Sequence, residues 1–394
     1  MRRQPALAQE VRTMTRQEVI QKAIEKRITW QQAADLCGVT ARHMSRLRER
    51  HERFGIEGLR DRRTGKRQPR RIAEEVVAEL CRLRRERYPD FSVRHFHEFA
   101  TEKHGLALSY TWTKLILQAR GLAERAAARG KHRRRRERRP MRGMMLHEDG
   151  STHTWIAGLP MRDLIVVLDD ADGRVLYARF VEQEGTRSTL QSFEHVLRRW
   201  GRFCEFYSDR GSHFCQTTKA EAGPDVSQQG QVARVLKTLG IRHILARSPE
   251  ARGRSERCFK TLQGRLPQEL RAAGITDYET ANEYLEKHFV TDFNRRFTVK
   301  PQQTESAFVP MVGVDLKLLL SIQTERIVQR DNTVRFGGLC LQLPESKDRV
   351  HFMRCPVIVH EFLDGMLGVS HQGQLLARFG IDGQLAAPSR RKAA

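Results

Sequence analysis

A chain of 394 residues, 39% hydrophobic and 30% charged, has material for about two to four soluble domains with cores of their own. Its formal net charge of +24 repels itself in any compact state and points to a polyanionic partner, nucleic acid first. No run approaches the ~18–20 apolar residues of a membrane span, and the first residues carry charge without the apolar core of a signal peptide. The seven cysteines (37, 81, 204, 215, 258, 340, 355) show no CxxC and no zinc-finger spacing, so reduced thiols in a cytosolic protein are expected.

Residues 1–60 form the first block. "TRQEVIQKAIEK" has helical spacing, and "TWQQAADLCGVTARHMSRLRERHERFG" places Ala34, Gly38, Met44 and Leu47 where a helix-turn-helix needs them. A small residue lets the helices approach, Gly takes the tight turn, and two apolar residues anchor the second helix. The outer face of that helix shows Arg42, His43, Ser45, Arg46, Arg48 and Arg50, suited to phosphates and base edges.

A basic linker, "RDRRTGKRQPRR", leads to a second helical block over residues 72–125. One helix there closes at Pro89, and two more flank Gly105. It reads either as a second helix-turn-helix, with Ser109–Ala119 as the reading helix, or as a packing-only bundle. Residues 126–142 are an arginine-rich tether suited to phosphate contact.

From residue 143 to about 300 the texture changes. "MMLHEDGS" is a short strand, and "RDLIVVLDDADGRVLYARFV" is two apolar strands joined by a turn holding Asp169, Asp170 and Asp172. That turn lacks the full spacing of a calcium loop. The remaining order, helix-strand-helix-strand-helix, predicts a mixed sheet with helices on its faces. A further helix spans Tyr278–Asn294. After the linker "TVKPQQTESAFVPM", residues 323–385 turn to short strands separated by turn pairs such as Asp364-Gly365, which predicts a small β-barrel.

Three acids sit at informative places: Asp149 at the end of the first strand, Asp209 at the end of the fourth, and Glu256 early in the helix after the fifth. From Ala251 to Arg265, Glu256 is the lone acid among five cations: Arg252, Arg254, Arg257, Lys260 and Arg265. Hard oxygen ligands converging at one sheet edge suit Mg²⁺ or Mn²⁺, and a pair of such ions suits phosphodiester chemistry. The cations around Glu256 would hold a polyanionic substrate. Lys260 lies one turn beyond it on the same helix face, and Arg252 one turn before. His147, His153 and His213 flank these motifs as structural groups or phosphate contacts, Trp155 reads as core, and Cys258 as a packed thiol. Ser151 and Ser208 have no activating base in view, so nucleophilic serine catalysis is rejected.

The residues "HEDGSTHTW", "YSDRGSHF" and "RSPEARGRSERCFKTLQGRLPQELRAAGI" resemble the DDE transposases of bacterial insertion sequences, close to the ISNCY group, which share a ribonuclease H-like core with retroviral integrases. The resemblance covers about Met144 to Pro301 and, less specifically, the helix-turn-helix front. It implies a multidomain chain: helix-turn-helix domains, an α/β ribonuclease H-like domain with a five-stranded mixed sheet, and a small β domain. Asp149, Asp209 and Glu256 would be the metal-binding triad for Mg²⁺ or Mn²⁺, with two ions. Arg42, His43, Ser45, Arg46, Arg50, Arg252 and Lys260 would contact DNA. The partners would be double-stranded transposon ends and target DNA, and a homodimer or higher oligomer on that DNA. No membrane partner is expected, and the place is the bacterial cytoplasm, at the nucleoid. "QTTKAEAGPDVSQQG" looks like a loop added between Asp209 and Glu256. The other readings are a transposase descendant that only binds DNA and a nuclease of the same fold that only hydrolyses.

Overall fold

A computed structural model describes residues 15–60, 72–125, 137–214, 230–246, 253–345 and 349–386. The basic linker of residues 61–71, most of the arginine-rich tether and the loop of residues 215–229 lie outside them, as does Arg252. The chain divides into two compact units, residues 1–79 and residues 80–394, with the division inside helix α4 (Glu74–Glu86).

The first unit contains α1 (residues 15–24), α2 (Trp30–Leu36) and α3 (Ala41–Phe54). Thr29 opens α2 with a capping box: its hydroxyl accepts from the Gln32 N–H at 3.2 Å, and Gln32 Oε1 accepts from the Thr29 N–H at 2.9 Å. Gly38 makes the turn at φ 61°, a left-handed conformation that glycine adopts without cost. Ala34, Met44 and Leu47 pack with Ile20, Ala33 and Leu59 in a small core, as the spacing predicts.

In the second unit, α5 (Val93–His104) and α6 (Tyr110–Ala119) pack with the C-terminal part of α4 around Leu80, Phe91, Phe96 and Leu117. This body is tied to the sheet domain by buried charges. Glu98 pairs with Arg265 at 2.8 Å and with Arg296 at 3.1 Å, and His95 Nε2 lies 3.0 Å from Glu269.

The sheet domain holds β1 (Met145–His153), β2 (Arg162–Asp169), β3 (Val175–Val181), β4 (Glu205–Ser208) and β5 (Arg242–Leu245) in the order β3-β2-β1-β4-β5. β1, β2 and β3 pair antiparallel, while β4 and β5 run parallel to β1, giving the mixed five-stranded sheet expected from the element order. β2 is apolar without alternation because both its faces are covered. Ile165 and Val167 face α7 (Thr186–Arg199) and α8 (Gln231–Thr238). Leu164, Val166 and Leu168 face α9 (Gly253–Gln263), α10 (Leu266–Ala272), α11 (Tyr278–Tyr284) and α12 (Val290–Phe297). A π-helical turn, Leu285–Phe289, breaks the helix expected over Tyr278–Asn294.

The Asp-rich turn between β2 and β3 is a hairpin turn, but it is also buried: Asp169, Asp170 and Asp172 are each 1% exposed or less. Asp169 accepts from the Gly143 and Ala171 N–H groups at 2.8 and 2.9 Å. Asp170 accepts from the Arg139 N–H at 2.7 Å, bonds His147 Nε2 at 2.7 Å and pairs with Arg254 of α9. Asp172 pairs with Arg142 at 2.8 Å. Burial pushes the Asp169 carboxyl up to about 6, with the neighbouring aspartates adding to it. Burial works in the same direction on Asp170, but its bonds to His147, Arg139 and Arg254 hold it well below the usual carboxylate range.

The segment after α12 is bound rather than free. Val299 donates to Asp172 O at 2.9 Å, Gln303 to Pro140 O at 2.9 Å, and Arg202 and Val309 exchange backbone bonds at 2.7 and 2.9 Å. α13 (Leu316–Leu319) then leads to β6 (Ile322–Ile327). α8 holds this start: Arg234 donates to Leu319 O at 3.0 Å and Ser321 O at 2.7 Å.

The expected C-terminal barrel is not formed. β6, β9 (Pro356–Glu361), β10 (Leu367–His371) and β11 (Gln374–Phe379) make an open sheet in the order β11-β10-β9-β6, and β7 (Thr333–Phe336) and β8 (Leu339–Gln342) make a separate hairpin. The two sheets share one core of Val334, Leu341, Val359, Val369 and Phe379. Closure would need β6 to pair with β11, a long-range contact that turn pairs between neighbouring strands do not encode.

His360 on β9 is buried between two hydroxyls, with Ser321 Oγ 2.7 Å from Nδ1 and Ser370 Oγ 2.7 Å from Nε2. Burial, helped by the charge of Arg234 and opposed by Asp315, pushes its imidazole down to about 4. Below pH 6.5 the unfolded chain therefore binds a proton that the folded chain refuses, so stability falls as pH drops from 6.5 toward 4. His360→Gln keeps a side chain able to bond the serines and removes the titration. Urea unfolding of the full chain at pH 7 and pH 4.5 should show the variant losing less stability than the parent, by up to ~3 kcal/mol.

Candidate active site

β1 runs parallel to β4 in the register His147↔Tyr207. Asp149, in the middle of β1, and Asp209, just past the end of β4, each lie two residues beyond the last paired residues of this register, and the charges of both act on Glu148. Side chains alternate along β1, so Asp149 and Ser151 share a face with His147, and Glu148 and Gly150 take the other. α9 packs on the Asp149 face. Its Ser255, Phe259 and Leu262 are buried, and Gln263 Nε2 donates to Ser151 Oγ at 2.9 Å.

On the opposite face, Glu148 is sealed under α7, accepting from Thr189 Oγ1 at 2.6 Å and from Ser192 Oγ. Burial pushes its carboxyl up to about 7; the two hydroxyls oppose that, and the charges of Asp149 and Asp209 add to it. Glu184, in the loop before α7, is also pushed up to about 7, by burial first and then by Glu148, Asp209, Asp149 and Asp163. A Cβ at Gly150 would stand 2.2 Å from Glu184 Oε2, so that carboxyl rests directly on the β1 backbone. Sequence reasoning missed both glutamates. For Glu148 the signal was present, since strand alternation turns it away from Asp149 and into the sheet.

Asp149 and Asp209 are half-buried, and Asp209 Oδ1 accepts from the Gly211 N–H at 2.8 Å. Glu256 and Lys260 are both exposed on α9, one turn apart. Among the described residues no three His, Cys, Asp or Glu side chains gather closely enough to hold one metal ion, so Glu256 is not brought into the Asp149–Asp209 pair. The donor chemistry, all carboxylate oxygen, fits a hard divalent cation. His147 is structural here, bonded to Asp170, and His153 packs edge-on against the buried Trp155. His213 lies 3.6 Å from Glu184 and packs at a tilt against Phe214. Burial pushes the Cys258 thiol up to about 12, with the charge of Asp149 adding to it, which keeps it an unreactive thiol facing the site.

On α3, Arg42, His43, Ser45 and Arg46 are exposed, and Ser45 Oγ donates back to Ala41 O at 3.1 Å. Arg50 is half-buried and donates to Arg60 O at 3.2 Å, so its guanidinium braces the fold of its own unit. Arg48 pairs with Glu52 at 2.7 Å and lies over the Trp30 ring.

A homeodomain-like domain model matches residues 10–60, the segment holding α1 to α3. The protein named "Putative transposase y4bF" of Sinorhizobium fredii (strain NBRC 101917 / NGR234) is 31% identical over 375 residues, covering 94% of this chain and 81% of that protein. The chain belongs to the DDE transposases of insertion sequences. "Transposase for insertion sequence IS1202" of Streptococcus pneumoniae is 25% identical over 376 residues, covering 86% of this chain and 80% of that one. Two solved structures are also similar. One is the HTLV-2 integrase catalytic core domain in complex with magnesium, dimeric form (16% identity, TM-score 0.30, 42% of this chain and 94% of that one). The other is the simian T-cell lymphotropic virus intasome with the PP2A regulatory subunit B56 gamma (14% identity, TM-score 0.34, 75% of this chain and 100% of that one). At such TM-scores neither adds weight. The transposase thus carries an N-terminal helix-turn-helix DNA-binding domain and a domain with a mixed five-stranded sheet.

Gly150→Ala in this transposase would drive a methyl group into the Glu184 carboxyl. Because the clash is with the far end of a flexible side chain, the cost should fall at the low end of overpacking, about 1 kcal/mol. Glu184→Ala in the same chain should recover much of that. A double-mutant cycle by urea unfolding should give a coupling of up to about 1 kcal/mol between the two positions, and additivity would place Glu184 elsewhere.

Proposed function

We propose that this transposase binds the terminal inverted repeats of an insertion sequence, cleaves the 3′ ends and joins them to target DNA. The reading is supported by Asp149 in the middle of β1 and Asp209 just past the end of the adjacent parallel strand β4, with α9, which carries Glu256 on its exposed side, packed beside β1. In this reading Asp149, Asp209 and Glu256 hold divalent cations, Mg²⁺ or Mn²⁺. When bound, such ions polarise the phosphodiester and stabilise the leaving oxygen without a covalent protein–DNA intermediate.

The chain's own residues do the rest. Lys260, exposed one turn beyond Glu256, meets the phosphate or base beside the scissile bond and adds substrate affinity without being a metal ligand. Arg42, His43 and Arg46 on α3 present donors to base edges and phosphates, and Arg252 adds charge before α9. The α4–α6 body serves as a second DNA-binding region. Acting on two ends calls for at least a dimer on DNA.

Asp149→Asn, Asp209→Asn and Glu256→Gln should each abolish end cleavage in Mg²⁺ while leaving end binding largely intact. Cleavage of a labelled transposon end, with EDTA as the control, checks this. Parent-like cleavage by the Glu256 variant would remove that residue from the chemistry.

The recognition half is tested separately. Arg42→Ala with Arg46→Ala should weaken binding of the terminal repeat by about tenfold or more. The variant's loss of affinity with added salt should also be shallower, since it releases fewer counterions. Equal loss on random duplex would reduce α3 to an electrostatic anchor.

A further inference from the structure

A cleft of about 450 Å³ lies at the free edge of β3, walled by α7 on one side and α11–α12 on the other. Its size is within the range of small-ligand sites. Its lining is cationic: Arg174, Arg179, Arg199 and Arg295 contribute guanidinium groups, and Glu286 is the one acid. Arg295 is committed to Asp292, and Arg174 Nε lies 3.6 Å from Asp172. Arg179 and Arg199 have no ion pair among the described residues and are exposed.

Arg174 and Trp200 also line the cleft, but Arg174 Nε–H and Trp200 Nε1–H are themselves buried, and that Arg174 nitrogen is the one beside Asp172. Arg174 also lies over the Trp200 ring at 6.0 Å, and Tyr177 adds a second ring to the lining.

The backbone of β3 narrows the choice of ligand. Asn294 exchanges two bonds with Val175 at 2.8 Å each, and Asn282 does the same with Phe180 at 2.7 and 3.1 Å. Phe180 therefore points its backbone groups away from β2. By the alternation of an antiparallel ladder, so does Ala178, whose N–H and C=O face the cleft. With both flanking positions already taken by asparagine amides, an extended peptide cannot pair along this edge. A single donor–acceptor pair beside aromatic rings and unpaired guanidiniums is instead the equipment for one base and its phosphate.

We propose that this cleft is a nucleotide-binding site, with Arg179 and Arg199 holding the phosphate and the Ala178 backbone reading the base. The register Asp149↔Val166↔Ala178 puts it two strand spacings, ~10 Å, from Asp149. The occupant is a free nucleotide or one nucleotide of a DNA strand; the chemistry is shared. The site does not depend on the roles assigned to the three carboxylates.

The test uses the full chain in EDTA, which silences any metal chemistry. Thymidine 5′-monophosphate and a 5′-phosphorylated single-stranded hexanucleotide are titrated by calorimetry. At least one should bind saturably at one site per chain. Arg179→Glu with Arg199→Glu should weaken that binding roughly tenfold or more. The charge-matched pair Arg326→Glu with Arg335→Glu, on the C-terminal sheets, should leave it unchanged, with far-UV circular dichroism confirming that all variants are folded. Displacement of the mononucleotide by the hexanucleotide supports a strand as the source, and binding of the mononucleotide alone supports a free nucleotide. Absence of saturable binding by both probes, or equal weakening by the control pair, overturns the proposal.

Discussion

Asp170 is the residue on which the geometry of the sheet domain turns. It is 1% exposed, and a carboxylate taken out of water at that depth is tolerated only when its lone pairs are fully occupied. Its partners come from three separate parts of the chain: the Arg139 N–H from the end of the basic tether, His147 from β1, and Arg254 from the first turn of α9. Asp169 and Asp172 repeat the device toward Gly143 and Arg142. One tight turn thus fixes where the sheet domain begins, where β1 lies and where α9 starts. Losing one partner would strand a buried charge, which is costlier than losing a surface ion pair.

The consequence reaches the candidate site through α9. Arg254 ties one end of that helix to Asp170, and Gln263 ties the other to Ser151, two residues beyond Asp149. Between the ties, the stripe Ser255, Phe259 and Leu262 is buried against the sheet. With rotation fixed in this way, Glu256 and Lys260 share the exposed side by their spacing of one turn. Arg265, at the end of the same helical stretch, passes the constraint on to Glu98 of α5, so the second helical body is braced against the same element.

What could be read from the sequence was local. Gly38 between two apolar-periodic segments, the unbroken apolar run of β2 and the Asp-Gly turn each carry their structural meaning within a dozen residues, and each is found as expected. What could not be read was set by partners far away in the chain. Nothing near Asn282 or Asn294 announces that their amides cap the edge of β3, more than a hundred residues upstream. The segment at Val299–Val309 has the composition of a linker, yet its backbone bonds to Asp172, Pro140 and Arg202 make it a strap. Arg50 sits on the outward arc of α3 by periodicity, but a carbonyl ten residues on turns it inward. Barrel closure failed for the same reason, since the pairing of first and last strands leaves no local trace.

The electrostatics of the site run against those of the chain as a whole. A protein of formal charge +24 gathers Glu148, Asp149, Glu184 and Asp209 within mutual electrostatic reach, close enough that each glutamate is pushed up to about 7 partly by the others. Such a cluster lowers folded-state stability above the ordinary carboxylate range, because the folded chain must give up protons from groups that prefer to keep them. A structural role alone would be served better by apolar side chains of the same size. Groups whose charges are left in conflict inside a half-buried site are instead the usual mark of a function that supplies the missing counter-charge. α9, packed beside β1, carries the exposed cations Arg257 and Lys260, so the same domain presents both signs: acids for a cation and cations for a polyanion. Folding alone has no use for that division of sign; the proposed meeting of a phosphodiester with a divalent cation would.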